Sequence, residues 1–284
     1  MFQKKWSVLI FLIPGLSLLV IFYFVPFFTG IHYSLMGGIK MSSYIGVANY
    51  RALWQNKMFL LGLKNTLVFS GICVPLLWGM AYIFSLFLQS IHPKGSLFRL
   101  IALMPYMVPS AAMILIWLIV FDYGGWINYL LQAFGMNRVL WLESSALRFP
   151  VIVMFIWKNI GFCIVLFLTA LQTVPQSLYE YAMLEGAGFL TWALKISLPQ
   201  ILPSAFLIFV IAWINAFRIF KEVYVIAGAY PDPSAYTLQH YMNNMFARLN
   251  YPMVTAAAYS FAAIVFTLFA ILFLLQRYAT QSAQ

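Results

Sequence analysis

The residues that could carry out chemistry are sparse and scattered along this 284-residue chain. It has 16 basic residues, 6 acidic residues, 3 histidines and 2 cysteines. His32, His92 and His240 are isolated, and no His/Glu or Cys cluster has metal-ligand spacing. No phosphate-binding G-x-x-x-x-G-K-[ST] sequence occurs. We therefore predict no catalytic residue, no metal site, and no ATP bound or hydrolysed by this chain.

The composition indicates an integral membrane protein. Hydrophobic residues make up 64% of the chain and charged residues only 8%, whereas soluble domains average about 25% charged residues. The formal charge of +10 suits anionic lipid at the membrane edge and does not require nucleic acid. Cys73 and Cys163 both lie in apolar runs and are read as small buried hydrophobic residues.

Six apolar stretches have the length of about 20 residues that a membrane-spanning helix needs. We predict spans at about Ser7–Thr29, Asn65–Ser90, Leu97–Phe121, Phe149–Thr173, Ile201–Phe220 and Pro252–Gln276. The run 127–134 is too short to span and is predicted to be an external interfacial helix. We predict an all-α fold in which residues 1–284 form a single transmembrane domain without a soluble domain. The basic residues are divided almost evenly between the two sides, so charge does not set the orientation.

Two polar residues stand inside these apolar stretches. Lys158 lies about eight residues into the fourth span, roughly 12 Å along a helix. It either snorkels to the outer interface or contacts a solute pathway. Asn215 is deeper in the fifth span, where an amide bonds a neighbouring helix or faces a wet cavity. Asp122 and Glu222 are placed at outer helix ends, so no acid is expected near mid-membrane. That distribution disfavours a proton-coupled carrier.

The connection from Pro175 to Pro203 carries several local structure signals in a row. Ser177 and Glu180 have the spacing of a capping box, which predicts that a short helix begins one residue after Ser177. Gly186 and Gly188 are predicted to end it, because glycine readily adopts the left-handed conformation that closes a helix. A second amphipathic run follows. The sequence thus predicts a helix–turn–helix between the fourth and fifth spans.

This connection resembles the EAA loop of bacterial ATP-binding-cassette (ABC) importer permeases. The similarity lies in E-Y-A at 180–182, E-G-A-G at 185–188 and I-S-L-P at 196–199, with Tyr181 and Glu185 departing from the family's alanine and aspartate. In that family the loop is a coupling helix that docks onto a cytoplasmic ATPase. The alternative is an ordinary amphipathic linker lying on the membrane. The resemblance implies ATPase coupling by Glu180, Ala182, Glu185, Gly186, Ala187 and Gly188.

Further matches to carbohydrate-uptake permeases extend over essentially the whole chain. They include I-G-V-A-N-Y at 45–50, K-N-T-L at 64–67, W-K-N-I-G-F at 157–162 and N-A-F-R-I-F-K-E-V-Y-V at 215–225. Lys221 stands where the family pattern is often acidic. The resemblance implies the type I importer permease fold. It also implies that both termini are cytoplasmic, because four spans separate the N-terminus from the ATPase-facing loop.

The resemblance also implies where a solute is contacted, because sugar contacts in the family come from the spans flanking the EAA loop. Asn215 falls where one such contact is expected. The other predicted substrate-pathway residues are Lys158, Trp157, Asn159, Phe162 and Arg218. Amides can bond sugar hydroxyls while aromatic faces cover the C–H surface.

The partners implied by the resemblance are a second homologous permease, two cytoplasmic ABC ATPases and an extracellular or periplasmic solute-binding protein. ATP and Mg would be used by the ATPases, and this chain would bind no cofactor. The expected location is the bacterial cytoplasmic membrane, crossed several times. Alternatives are the same fold carrying glycerol phosphate or another polar solute, a proton-driven carrier, a membrane enzyme, or a purely structural membrane subunit.

Overall fold

The described residues of the computed structural model are 12–37, 43–91 and 96–282, and most of them are helical. Within those ranges, six helical stretches are long and apolar enough to cross a membrane. They are Leu12–Ser34, Lys57–Gln89, Ser110–Ala133, Ser145–Leu171, Leu202–Ala227 and Tyr251–Tyr278. The predicted all-α fold with six spans is confirmed. His92 lies outside the described residues.

One compact unit comprises the described residues up to Leu60 together with Tyr241–Val265. Its elements before Leu60 are α1 (Leu12–Ser34), β1 (Met36–Gly37), β2 (Ser43–Tyr44) and α2 (Ala48–Trp54). Asn49 organises the turn after α1, since its amide donates to the carbonyls of Ser34 and Met36, both at 2.8 Å. The phenol of Tyr50 donates to the Ser34 hydroxyl at 2.8 Å. The N-Y pair of the 45–50 motif therefore closes this turn.

The second unit comprises Leu61–His240 and the described residues from Phe266 onward. The remaining α-helices of the described residues are α3 (Lys57–Ile91), α4 (Ser96–Met107), α5 (Ser110–Phe121), α6 (Trp126–Ala133), α7 (Arg148–Leu171), α8 (Gln176–Leu184), α9 (Phe189–Thr191), α10 (Leu198–Gln200), α11 (Leu202–Phe217), α12 (Phe220–Ala227), α13 (Leu238–Ala247) and α14 (Tyr251–Ser282). Small residues permit close packing of α11 on α7, because Ala205, Ala212 and Ala216 are buried.

The predicted third span, 97–121, is broken in the middle. Helix α4 ends at Met107 and α5 begins at Ser110. Pro109 separates them, with an extended backbone at φ −54° and ψ 134°. Because proline lacks an N–H and disfavours helical backbone in the residue before it, the helix is interrupted here. The long apolar stretch is instead Ser110–Ala133, which joins α5 to the short helix α6.

The predicted fifth span also differs from the observed one. Helix α11 ends at Phe217, Arg218 caps it, and α12 continues as far as Ala227. Together they form an apolar stretch of 26 residues, Leu202–Ala227. The prediction that Glu222 lies at an outer helix end is therefore wrong. Glu222 belongs to this stretch and is buried, with 4% of its surface exposed.

The N-T pair at the start of the predicted second span anchors a distant loop. The Asn65 amide donates to the carbonyls of Pro233 and Tyr236 at 2.7 and 2.8 Å. The Thr66 hydroxyl accepts the backbone N–H of Leu238 at 2.9 Å. These buried side chains satisfy backbone groups that a loop beside apolar helices would otherwise leave unpaired. The motif at 64–67 therefore fixes the loop between α12 and α13.

Candidate functional site

Helix α8, the first helix of the 175–203 loop, begins earlier than predicted. It starts at Gln176, directly after Pro175, whose backbone is extended at φ −59° and ψ 132°. No side chain caps this end, and the Glu180 carboxylate instead accepts the side-chain amide of Gln176 at 2.9 Å. The predicted capping box is therefore wrong. Ser177 already lies inside the helix, whereas a capping residue needs a non-helical backbone.

Gly186 closes α8 as predicted, with a positive φ of 74°. The N–H of Ala187 donates to the carbonyl of Ala182 at 2.9 Å, and the N–H of Gly186 donates to that of Met183 at 3.1 Å. This pair of bonds is the Schellman arrangement that ends many helices. Gly188 plays a different part, because its φ is −71° and it precedes α9 as an extended residue. One glycine, not two, supplies the left-handed turn.

The turn presents a protruding surface with apolar and acidic residues side by side. Leu184 is 84% exposed, and the carboxylates of Glu180 and Glu185 also face outward. Ala182 points the other way and is buried, and Ala187 packs against the core from a half-buried position. Exposed apolar residues rimmed by polar ones are typical of a protein-docking surface. Of the predicted coupling residues, Glu180 and Glu185 are accessible to a partner, whereas the two alanines support the turn.

A cavity of about 390 Å³ lies where the breaks of the third and fifth spans meet α7. Its polar lining consists of Ser110, Lys158, Asn159, Asn215, Arg218, Lys221 and Glu222, together with the hydroxyl-bearing ring of Tyr106. Four of the predicted pathway residues, Lys158, Asn159, Asn215 and Arg218, are thus brought to one place. Helix α7 positions Lys158 and Asn159, α11 positions Asn215, and Arg218 lies between α11 and α12.

Lys158 is held by an ion pair that the sequence analysis did not predict. Its ammonium is 2.9 Å from the Glu222 carboxylate and donates to the Ser110 hydroxyl at 2.6 Å. The side chains of Lys158 and Glu222 are 20% and 5% exposed. Ionisable residues within membrane spans usually pair with one another, so two opposite charges in apolar segments were the available signal. Lys158 does not extend freely to an outer interface, because Ser110 and Glu222 hold it.

The cavity retains buried polar atoms without a hydrogen-bond partner among the described residues. They include the second carboxylate oxygen of Glu222, Oε2, and the amide nitrogen of Asn215. The Asn159 amide is instead occupied, donating to the Phe155 carbonyl in its own helix at 2.8 Å. An unpaired buried polar group is costly, so these two atoms are the places where a polar solute or a change of helix packing would be favourable.

Trp157 and Phe162 do not line the cavity. Trp157 makes an edge contact with Trp117 at 5.6 Å between ring centroids. Phe162 stacks on Tyr106 at 4.4 Å, and Tyr106 does reach the lining. Phe162 therefore supports an aromatic wall from behind, and Trp157 packs elsewhere on α7.

His240 lies beside α12, close to the residues that reach the cavity. Its ring contacts Phe220 and Tyr224 of α12, and its Nδ1 accepts the backbone N–H of Thr237 at 3.2 Å. Burial of the ring lowers the pKa of His240 from 6.5 to about 4. This histidine is therefore neutral at physiological pH. In the part of the chain that the structure describes, no group of three His, Cys, Asp or Glu side chains has metal-binding geometry.

Comparison with known proteins places the chain among importer permeases. It is 30% identical to the diacetylchitobiose uptake system permease protein NgcF of Streptomyces coelicolor, over 97% of this chain and 84% of that protein. It is 30% identical to the sn-glycerol-3-phosphate transport system permease protein UgpA of Yersinia pestis, over 84% of this chain and 82% of UgpA. No protein-family model matches the chain.

Two solved structures share the fold. A chain of a bacterial alginate ABC transporter, crystallised with an alginate pentasaccharide-bound periplasmic protein, superimposes with a TM-score of 0.84 at 23% identity. That match covers 98% of this chain and 96% of the other. A second structure, of a transporter that imports the acidic polysaccharide alginate, gives a TM-score of 0.83 at 22% identity.

Proposed function

The chain belongs to the carbohydrate-uptake permeases of ABC importers, and we propose that it forms part of the membrane pathway for a sugar or oligosaccharide. The observation that carries this proposal is the polar cavity enclosed by apolar helices. Lys158, Asn215 and Glu222 place charge and amide groups inside predominantly apolar segments. Such groups are costly in a membrane and typically mark a solute pathway.

The chemistry of the cavity suits a solute rich in hydroxyl groups. The Asn215 nitrogen can donate, and Glu222 Oε2 can accept, since neither has a partner among the described residues. The Tyr106 ring, backed by Phe162, offers an apolar face to the C–H surface of a sugar. Asn159 and Arg218 complete the proposed contacts with the solute. Trp157 makes no contact with the solute in this proposal. Lys158 acts indirectly, through its ion pair with Glu222 and its hydrogen bond to Ser110.

A second candidate solute is anionic, such as glycerol phosphate or an acidic saccharide. The lining holds Lys158, Arg218 and Lys221 against the single carboxylate of Glu222. Because Glu222 pairs with Lys158, two cations remain to attract an anion. The relatives include a glycerol-3-phosphate permease, and the structural neighbours include an alginate transporter.

Energy would come from partner proteins. We propose that the protruding turn at Gly186 docks onto one of two cytoplasmic ABC ATPases, which use ATP and Mg, and that this chain catalyses no reaction and binds no cofactor. A second permease and an extracellular or periplasmic solute-binding protein complete the assembly. The complex would reside in the bacterial cytoplasmic membrane with both termini of this chain inside. ATP-driven movement of the turn would switch the access of the cavity between the two sides.

A proton-coupled carrier is the competing class, and Glu222 is the carboxylate on which it would depend. The two classes differ in their energy source. Uptake by the purified assembly in sealed vesicles should require ATP on the cytoplasmic side and persist when a protonophore collapses the proton gradient. Uptake that is abolished by the protonophore and indifferent to ATP would identify a carrier instead.

The experiment that tests the importer proposal is co-purification of the tagged chain from native membranes in mild detergent. Recovery of an ATPase and a second permease by mass spectrometry is expected. The solute-binding protein encoded with them can then be screened against neutral and acidic saccharides and glycerol 3-phosphate to identify the solute. If the chain is recovered alone under conditions that preserve known transporter complexes, the proposal is wrong.

A further inference from the structure

The second helix of the 175–203 loop contains a wide turn that two side chains of α3 hold in place. Residues Trp192–Ser197, hereafter the π segment, form a π-helix between α9 and α10. The carbonyl of Ala193 accepts the N–H of Leu198, five residues ahead, instead of the usual four. Pro199 explains the wide turn, since proline has no N–H and its ring crowds the carbonyl four residues earlier.

Tyr82 donates to a backbone carbonyl inside the π segment, and Trp78 donates to one that follows it in the chain. The Tyr82 phenol donates to the same Ala193 carbonyl at 2.7 Å, and Tyr82 is 3% exposed. One turn earlier on α3, the Trp78 indole donates to the Ala205 carbonyl of α11 at 2.8 Å. Both bonds join residues more than 100 positions apart in the chain. They tie the end of the loop, and the start of the fifth span, to α3.

The donors themselves belong to a compact aromatic group that includes α7. The Trp78 and Tyr82 rings stack at 6.0 Å between centroids. Both contact Phe167 of α7, at 5.4 and 5.3 Å. Phe167 is fully buried. Because closely packed side chains have little room to move, this aromatic group gives the π segment a rigid support.

The π segment also contacts the helix that carries the protruding turn. The ring of Trp192, the first residue of the π segment, meets the ring of Tyr179 on α8 edge to face at 5.1 Å. Tyr179 precedes Glu180, one of the predicted coupling residues. A continuous series of contacts therefore runs from α8 through Trp192 and Ala193 to Tyr82 and Phe167. π-Helical turns occur frequently at functional sites, where they re-aim neighbouring groups.

We propose that Tyr82 and Trp78 are positioning residues for energy transfer, holding the π segment against α3 so that movement of α8 is passed to the spans. The proposal rests on the proposed function, because it takes α8 to be the element that an ATPase moves. Without the Tyr82 hydroxyl the Ala193 carbonyl keeps only its bond to Leu198. The π segment can then move relative to α3, so a displacement of α8 deforms the loop instead of moving α11 and the cavity.

The test compares Tyr82→Phe with a matched control, Tyr259→Phe. Both substitutions delete only a phenolic hydroxyl that donates to a backbone carbonyl. Tyr259 donates to Phe27, and both of these residues belong to the compact unit that does not contain the loop. The complete transporter with its partner subunits, in lipid nanodiscs, is followed by hydrogen–deuterium exchange with and without ATP and vanadate. The readout is the nucleotide-dependent change in exchange of residues 202–217, alongside the rate of ATP hydrolysis.

For the wild type and Tyr259→Phe we expect equal nucleotide-dependent changes. For Tyr82→Phe the change should fall by about two- to tenfold, the range set by loss of one hydrogen bond, while ATP hydrolysis continues. In the absence of nucleotide, faster exchange should be confined to residues 188–203. A nucleotide-dependent change of wild-type size in Tyr82→Phe would overturn the proposal. Faster exchange spread over all spans would also overturn it, because that result indicates a general folding role.

A second variant, Trp78→Phe, tests whether the second hydrogen bond to this region matters in the same way as the one from Tyr82. It keeps an aromatic ring in the group but removes the donor to Ala205. We expect the same direction of change as in Tyr82→Phe, and a wild-type response would limit the role to Tyr82 and overturn the part assigned to Trp78. Failure of the proposed function itself would already be visible in the unsubstituted protein, which would then have no bound ATPase.

Discussion

The protruding turn at Gly186 and the cavity at Lys158 are stabilised in opposite ways. The turn is stabilised locally, since the Schellman bonds join residues 182–187 and its acidic side chains face outward. The cavity is stabilised by contacts between remote parts of the chain, because Ser110, Lys158 and Glu222 lie 48 and 64 residues apart. A local, exposed element can move as a unit, whereas three helices joined by an ion pair and a hydrogen bond resist separation.

The difference has a functional consequence. Changes in the turn should alter communication with a partner while leaving the spans folded. Changes in the cavity should alter the packing of the spans themselves.

The largest effect is expected for Glu222→Gln, which leaves the Lys158 ammonium largely buried beside Ser110 without a counter-charge. Breaking a buried ion pair typically costs about 3–5 kcal/mol. Thermal unfolding of the purified protein in detergent should therefore shift to a markedly lower temperature. Glu185→Gln is the matched control, because this carboxylate is exposed on the turn and its removal should change stability by less than about 0.5 kcal/mol.

The double variant Glu222→Gln with Lys158→Met sharpens this test. Removing both charges eliminates the uncompensated ammonium, so much of the lost stability should return. Equal stability of the wild type and the Glu222→Gln single variant would show that the pair does not hold the three helices together, and the contrast with the turn would fail.

Gly161→Ala should be the next most damaging change. A Cβ at this position would collide with the backbone carbonyl of Ala102, so α4 and α7 must move apart. Overpacking of this kind costs about 1–3 kcal/mol. Gly71→Ala is the control, since a Cβ there meets nothing within 4 Å. Denaturation midpoints of the two variants, measured side by side, should differ clearly, and indistinguishable midpoints would refute the close packing of α4 on α7.

The buried His240 predicts a loss of stability on acidification. Its pKa of about 4 in the folded protein lies below the ordinary value of 6.5. The unfolded chain therefore binds more protons between pH 6.5 and pH 4, and stability falls as the pH is lowered through that window. At pH 5 the loss is about 2 kcal/mol. In His240→Gln the free energy of unfolding should depend less on pH between pH 6.5 and pH 4. If the pH dependence of the variant equals that of the wild type, other groups are responsible for the acid destabilisation.

The smallest effect on stability, and the most selective one, is expected for Gly186→Ala. The substitution meets no neighbouring atom, so its cost is the strain of an alanine at φ 74°, about 1–2 kcal/mol. Gly188→Ala, at φ −71°, should be neutral. ATP-driven transport by the reconstituted complex should fall in the first variant with little loss of melting temperature. Normal transport by Gly186→Ala, or an equal loss in both variants, would contradict the coupling role of the turn.

The turn was largely predictable from the sequence because its signals are local. Glycine adopts a positive φ at a helix end without needing distant contacts, and Gly186 has the predicted positive φ. The capping box failed for a physical reason of the same kind, since Pro175 already provides an extended residue from which the helix can start. The two competing start signals, Pro175 and the Ser177 capping box, lie within three residues of each other, and the sequence alone did not show which one begins the helix.

The cavity was only half predictable. Lys158 and Asn215 stood out as polar residues in apolar runs, yet the position of Glu222 depends on where the fifth span ends. That end is set by the continuation of α12 beyond Arg218 and not by composition. The hydrogen bond from Tyr82 to Ala193 joins residues 111 positions apart and left no trace in local spacing. Contacts between distant residues need the packed structure.

The most direct test of the account is site-directed cross-linking of the turn to an ATPase. Leu184→Cys places a thiol on the turn at a position that is 84% exposed, and Phe134→Cys places one after α6 at a position that is 78% exposed. The native Cys73 and Cys163 are buried and can remain. Each thiol is labelled with a maleimide that carries a benzophenone, which on illumination inserts into a C–H bond of a neighbouring protein. We predict that, in native membranes, the label on Leu184→Cys cross-links to the ATPase and the label on Phe134→Cys does not. Absence of a cross-link from Leu184→Cys, or an equal yield from both positions, would contradict the assignment of this turn as the coupling element.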